Sequence, residues 1–213
     1  MRTDQLIEEL AQGARPRSPA AALRRLSGGI SLGAMVSALT IFLMLGQPLQ
    51  AVGLTGIPAF TMKLLFTASM TVMAGLLLFA SGRPGRKVGS RIYWLLLPPA
   101  LVAVTAAMEL AGLSQRAQEA ALLGSTWQTC LVGVSALSLP VLLGTVWGFR
   151  YLAPTQLRLA GSLAGLTSGS TAAFLYALYC PETTATFLVS WYTLGILAAG
   201  VVGALAGPRL LRW

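Results

Sequence analysis

Six apolar stretches alternate with short polar connections along the 213-residue chain, at roughly 27–46, 60–80, 93–112, 126–149, 157–179 and 187–207. Each is near the ~20 residues that a helix needs to cross a bilayer. The pattern predicts an all-α, polytopic membrane protein, a bundle of six transmembrane helices. A polar leader, residues 1–26, comes before it. In that leader Thr3 can cap a short helix, and Asp4, Glu8 and Glu9 suit its early turns. Leu6, Ile7 and Leu10 make one small apolar face, and Gly13, Pro16 and Pro19 end the helix. The leader reads either as a solvated tail or as a docking peptide that seats in a partner's groove. Pro98–Pro99 and Pro140 lie within apolar runs, where a kink is expected.

The stretch from Leu157 to Glu182 carries no charge between Arg158 and Glu182, and Gly161, Gly165 and Gly169 recur every four residues. Such a stripe lets another helix backbone come close, which is what holds helices together in lipid. Similar stripes run along the first helix (Gly29, Gly33, Ser37) and the sixth (Gly195, Ala199, Gly203, Gly207). Helices five and six should pack as a tight antiparallel pair. The stripes also suit homo-oligomer faces, with a role inside the fold preferred. The connections set the orientation. With the N-terminus in the cytoplasm, thirteen of the fifteen basic residues lie inside and only Lys63 and Arg116 outside. The positive-inside rule therefore predicts both termini in the cytoplasm.

Composition sharpens this picture. The chain is 55% hydrophobic and 10% charged, with a net charge of +9. The basic residues flank apolar runs and form no aromatic-laced patch, so direct nucleic-acid binding is not indicated. There is no His, which removes the commonest general base and metal ligand. There is no phosphate-binding glycine loop, no Ser-His-Asp set and no CxxC, so an enzyme is not indicated. The chemistry left is two cysteines, Cys130 and Cys180. The topology brings both near the outer face at similar depth, with Glu109 at a similar level and Glu182 two residues beyond Cys180. Three readings stay open. The thiols pack as small hydrophobes, form a reversible disulfide, or bind a transient soft metal ion with Glu109 or Glu182 filling the shell. No constitutive cofactor is implied. A small-molecule or ion transporter would want ionisable groups at mid-membrane, which the runs lack. A membrane thiol oxidoreductase would need turnover through the same two cysteines.

The opening MRTDQLIEEL, the WQTCL segment, the connector FRYLAPTQLRLAGSLAGL, the segment LYCPETTATFLVSWY and the end GPRLLRW resemble the NrsF-type negative regulators of sigma factor F. The likeness runs through nearly the whole chain in motif order. It implies a six-span inner-membrane anti-sigma factor that holds an extracytoplasmic-function sigma factor. Release would follow when periplasmic cysteines sense heavy metal or oxidative stress. Cys130 and Cys180 match the family's two sensing cysteines, and the segment from Met1 matches its cytoplasmic leader. Leu6, Ile7 and Leu10 are then the expected sigma-binding anchors. The chain departs from many members at Tyr179, where they carry a His, which leaves metal selectivity open.

Overall fold

The computed structural model describes residues 18–46, 57–83, 88–152 and 154–212, all helices and connections with no strand among them. The leader's Leu6, Ile7 and Leu10 lie outside the described residues. The helices are α1 (Pro19–Leu45), α2 (Ile57–Ser81), α3 (Leu97–Ala111), α4 (Gln115–Leu123), α5 (Trp127–Phe149), α6 (Leu157–Ala177) and α7 (Ala185–Leu210). α1 begins earlier than the apolar run suggests. Ser18 caps it, its hydroxyl accepting from the Ala21 N–H at 3.2 Å, and Pro19 takes the first turn, where its missing N–H costs nothing. Residues 19–26 are therefore helix, not leader.

Two expectations are corrected. The residues before α3, Gly89–Leu96, form a 3-10 helix, and Pro98–Pro99 fall in the first turn of α3. The prolines start an α-helix there and do not break one. The connection before α5 is also more than a loop, because Gln115–Leu123 forms the short helix α4. Pro140 does lie inside α5, which continues through it. α7 opens with three α-helical residues and a π turn, Leu188–Tyr192, where the Thr193 N–H reaches back to the Leu188 carbonyl.

Among the described residues, five helical segments are long and apolar enough to cross a membrane: Pro19–Leu45, Pro58–Ser81, Gly89–Ala111, Gln115–Phe149 and Ala185–Leu210. Their outward faces are lined with large apolar side chains, Leu43 and Met44 being 73% and 81% exposed. Such a surface suits lipid and not water. α6 has 21 residues, enough for a rise of about 30 Å, but it is rich in Gly, Ser and Thr. It is the central helix, packed against α7, α2, α5 and α1, and fourteen of its residues are buried. Its hydroxyls are satisfied locally. Thr167 donates to the Leu163 carbonyl at 2.7 Å, Ser168 to Ala164 at 2.7 Å and Thr171 to Thr167 at 2.7 Å. In a dry interior that is what makes them tolerable.

The glycine stripes are internal contacts. A Cβ on Gly161 would strike the Gly203 carbonyl, and one on Gly165 the Ala199 carbonyl. α6 and α7 thus run antiparallel with backbones touching. On α1, Gly29 faces Gly144 and Gly33 faces Pro140–Val141 of α5, another antiparallel contact. Ser37 completes it by donating to the Leu137 carbonyl at 2.8 Å.

Successive antiparallel packing gives the bundle two chemically different ends. Arg24, Arg25, Arg83, Arg91, Arg150, Arg158, Arg209 and Arg212 lie where α1, the 3-10 segment and α6 begin and α2, α5 and α7 finish. There the Arg25 guanidinium sits 3.8 Å from the centre of the Tyr151 ring, and Arg150 Nε donates to the Leu210 carbonyl at 2.9 Å. Lys63 and Arg116 are at the opposite end.

These contacts make a prediction. Gly165→Leu should lower the stability of the detergent-solubilised protein by about 1–3 kcal/mol, the usual cost of overpacking, and lower its melting temperature. Gly28→Ala, inside α1 at a position with nothing within 4 Å, should not lower the melting temperature and should raise it slightly, alanine being the better helix former.

Candidate functional site

The site forms at the end away from the arginines, where α6 stops and the chain turns back into α7. Its first member is set by α5. Cys130 lies in the opening turn of that helix, its N–H bonded to the Thr126 carbonyl at 2.8 Å. Its second member follows α6. The last turn closes with the Cys180 N–H on the Tyr176 carbonyl at 3.1 Å, and Pro181 prevents further helix. The two thiols are hydrogen-bonding neighbours, both free of disulfide, 0% and 2% exposed. Matched depth was the expectation from topology, and contact is what the fold delivers.

Around the thiols are Val134, Tyr176, Phe187 and Tyr192, all buried. The Tyr192 ring lies 6.5 Å from Tyr176 and 6.4 Å from Phe187, and its buried hydroxyl has the Cys180 thiol as its polar neighbour.

The carboxylates have other work. Glu182 Oε1 accepts from the Ser125 N–H at 2.8 Å, the Ser125 hydroxyl at 2.7 Å and Thr126 Oγ1 at 3.3 Å. That places negative charge at the start of α5. Glu109 Oε2 accepts from the Thr186 N–H at 3.1 Å and its hydroxyl at 3.0 Å, at the start of α7. Both positions are favoured by the positive end of the helix dipole. Among the described residues no group of three or more Cys, Asp or Glu gathers as a metal site. A soft cation would have the two sulfurs and neither carboxylate as a ready third ligand.

The residue that sequence reasoning placed wrongly in importance is Lys63. It reads as a stray outer cation, yet it is 0% exposed. Its Nζ donates to the Cys180 carbonyl at 2.8 Å and the Glu182 carbonyl at 2.6 Å, and lies 5.7 Å from the Tyr192 ring centre. The signal was present, since Lys63 is the one ionisable residue inside its apolar run and such residues are site candidates by default.

The turn into α7 is also tied to α4. Thr184 Oγ1 donates to the Ala121 carbonyl of α4 at 3.2 Å, and Trp191 Nε1 to the Leu122 carbonyl at 2.7 Å. Trp191 also packs on Trp127, ring centres 4.7 Å apart.

Electrostatics favours one thiolate. The hydrogen bond from Cys130 holds the Cys180 thiol below the usual thiol range, outweighing the desolvation of burial, with the Lys63 charge acting in the same direction. Alkylation of Cys180, followed by mass spectrometry across pH, should therefore rise through a midpoint below the usual thiol range and level off above it. Cys130→Ala removes the donated hydrogen bond and should move that midpoint upward.

The family of negative regulators of sigma F, NrsF, has a family model that matches residues 10–213. Two relatives match over the full length of both chains. The anti-sigma-F factor NrsF of Caulobacter vibrioides (strain NA1000 / CB15N) is 36% identical over 217 residues. The probable anti-sigma-F factor NrsF of Azospira oryzae (strain ATCC BAA-33 / DSM 13638 / PS) is 35% identical over 214 residues. No solved structure matches the chain.

Proposed function

The chain belongs to the NrsF family of negative regulators of sigma F, and on that premise we propose that it is an inner-membrane anti-sigma factor. It restrains an extracytoplasmic-function sigma factor on the cytoplasmic side and releases it when Cys130 and Cys180 meet a soft metal ion or an oxidant. The observation that carries this reading is the pairing of the two thiols at the end opposite the arginines. By the positive-inside rule the arginine end faces the cytoplasm, which puts both termini inside and the thiols toward the periplasm.

The chemistry needs no further residue. With a two-electron oxidant, the two thiols give up two electrons and two protons and one S–S bond forms. With a soft cation, the sulfurs replace their protons by two metal–sulfur bonds. Either event changes the spacing between the start of α5 and the end of α6. Both helices run to the arginine end, where α5 leads into residues 150–156. Helices packed on bare backbone have discrete arrangements, so a small displacement at one end is passed on to the other.

The leader is the proposed grip. Leu6, Ile7 and Leu10 would seat in an apolar groove of the sigma factor, as an amphipathic helix does.

Two experiments test this. A Cys130→Ser, Cys180→Ser double variant should retain the sigma factor under cadmium or dichromate stress, while the unsubstituted protein releases it. Unchanged release in a sigma-dependent reporter strain would remove the sensing role. Deleting residues 1–12 should abolish co-purification with the sigma factor, and retained binding would clear the leader of that role.

A further inference from the structure

We propose that Lys63 is the positioning residue of the thiol pair: its buried ammonium clamps the Cys180 and Glu182 carbonyls to α2 and thereby holds Cys180 against Cys130. This rests on the reading of the two thiols as the sensor and assigns a residue which that reading does not use.

The argument begins with Pro181. It has no N–H, and it restricts Cys180 to extended conformations. The step Cys180–Pro181–Glu182 is therefore stiff and cannot continue the helical ladder of α6. Its carbonyls still need donors in a buried setting. One ammonium supplies both, at 2.8 Å and 2.6 Å. A lysine brought wholly out of water is costly unless its protons are used. Here two go to carbonyls on either side of the proline, and the Tyr192 ring flanks the charge at 5.7 Å.

The same three residues are also held from the other side. The Glu182 carboxylate is bound to Ser125 and Thr126, immediately before the helix that carries Cys130. The segment is thus suspended between α2, through its backbone, and α5, through its side chain. Removing the α2 attachment leaves Cys180 on the end of α6 with only the Glu182 side chain, two residues on, tying the segment across, while Cys130 stays fixed in its helical turn.

The clamp also adds a third helix to the sensor. α2 runs from Lys63 to the arginine end, where a Cβ on Gly82 would meet Leu152 and Phe149. Movement of the Cys180 segment therefore bears directly on the helix that contacts the turn after α5.

The test uses the full chain in membrane vesicles and dibromobimane, a short bifunctional reagent. Each sulfur displaces one bromide from a bromomethyl carbon, two S–C bonds form, and two bromides and two thiol protons leave. Fluorescence rises only when both thiols have reacted. Lys63→Met should slow this crosslink by about tenfold or more, the scale of one charge-assisted hydrogen bond. N-ethylmaleimide labelling, read by mass spectrometry, should rise at Cys180 and stay low at Cys130. Lys63→Arg keeps the charge and the donors and should restore crosslinking. A wild-type crosslinking rate in Lys63→Met overturns the proposal. So does loss of crosslinking in both variants with equal labelling of both cysteines, which marks a general loosening of the fold. Failure of the unsubstituted chain to crosslink would strike at the paired-thiol reading itself, so the two failures are told apart.

Discussion

Everything in this bundle depends on how closely two peptide backbones can approach inside lipid. Hydrocarbon gives apolar side chains no reason to leave it, so the helices are held by contact and not by escape from water. At Gly161 and Gly203, and at Gly29 and Gly144, that contact is backbone on backbone. It leaves no soft side chain to absorb a displacement. Two stiff antiparallel pairs result, α1 with α5 and α6 with α7, and the Gly-, Ser- and Thr-rich α6 lies at the centre with its hydroxyls turned onto its own carbonyls.

The polar end follows a second rule. Its three buried or half-buried charges, Glu109, Glu182 and Lys63, are answered chiefly by peptide groups and hydroxyls, not by one another. Each charge therefore fixes a piece of chain: the carboxylates set the starts of α7 and α5, and the ammonium sets the step around Pro181. The thiols sit where these three attachments converge. Their contact is a product of the chain path around them.

Much of this was legible in the chain itself. The glycine periodicity identified the tight α6–α7 pair, because small residues every four positions have few other uses in lipid. The matched depth of Cys130 and Cys180 followed from alternating direction alone. What was not legible depended on three-dimensional partners. Lys63 near a helix end resembles a cation reaching for water, and only the returning Cys180–Glu182 segment makes it an interior residue. Glu109 and Glu182 looked like spare ligands because the helix starts they serve belong to other parts of the sequence. Gln115–Leu123 has too polar a face to announce itself beside an apolar run. Pro98–Pro99 looked like an interruption because hydropathy does not distinguish the 3-10 segment before them from the α-helix they begin.

The π turn at Leu188–Tyr192 has a consequence for how this chain can vary. One extra residue in a helical turn rotates everything after it by about 100°. That rotation lets a single continuous helix present Tyr192 to the sulfur end and still aim Gly195, Ala199 and Gly203 at their neighbours further down. Length there is thus constrained as well as identity. Loss or gain of a single position there would swing one half of α7 out of phase with the other, carrying either Tyr192 away from the thiols or the small residues away from α6, so lineages of this protein should keep the residue number of that turn fixed.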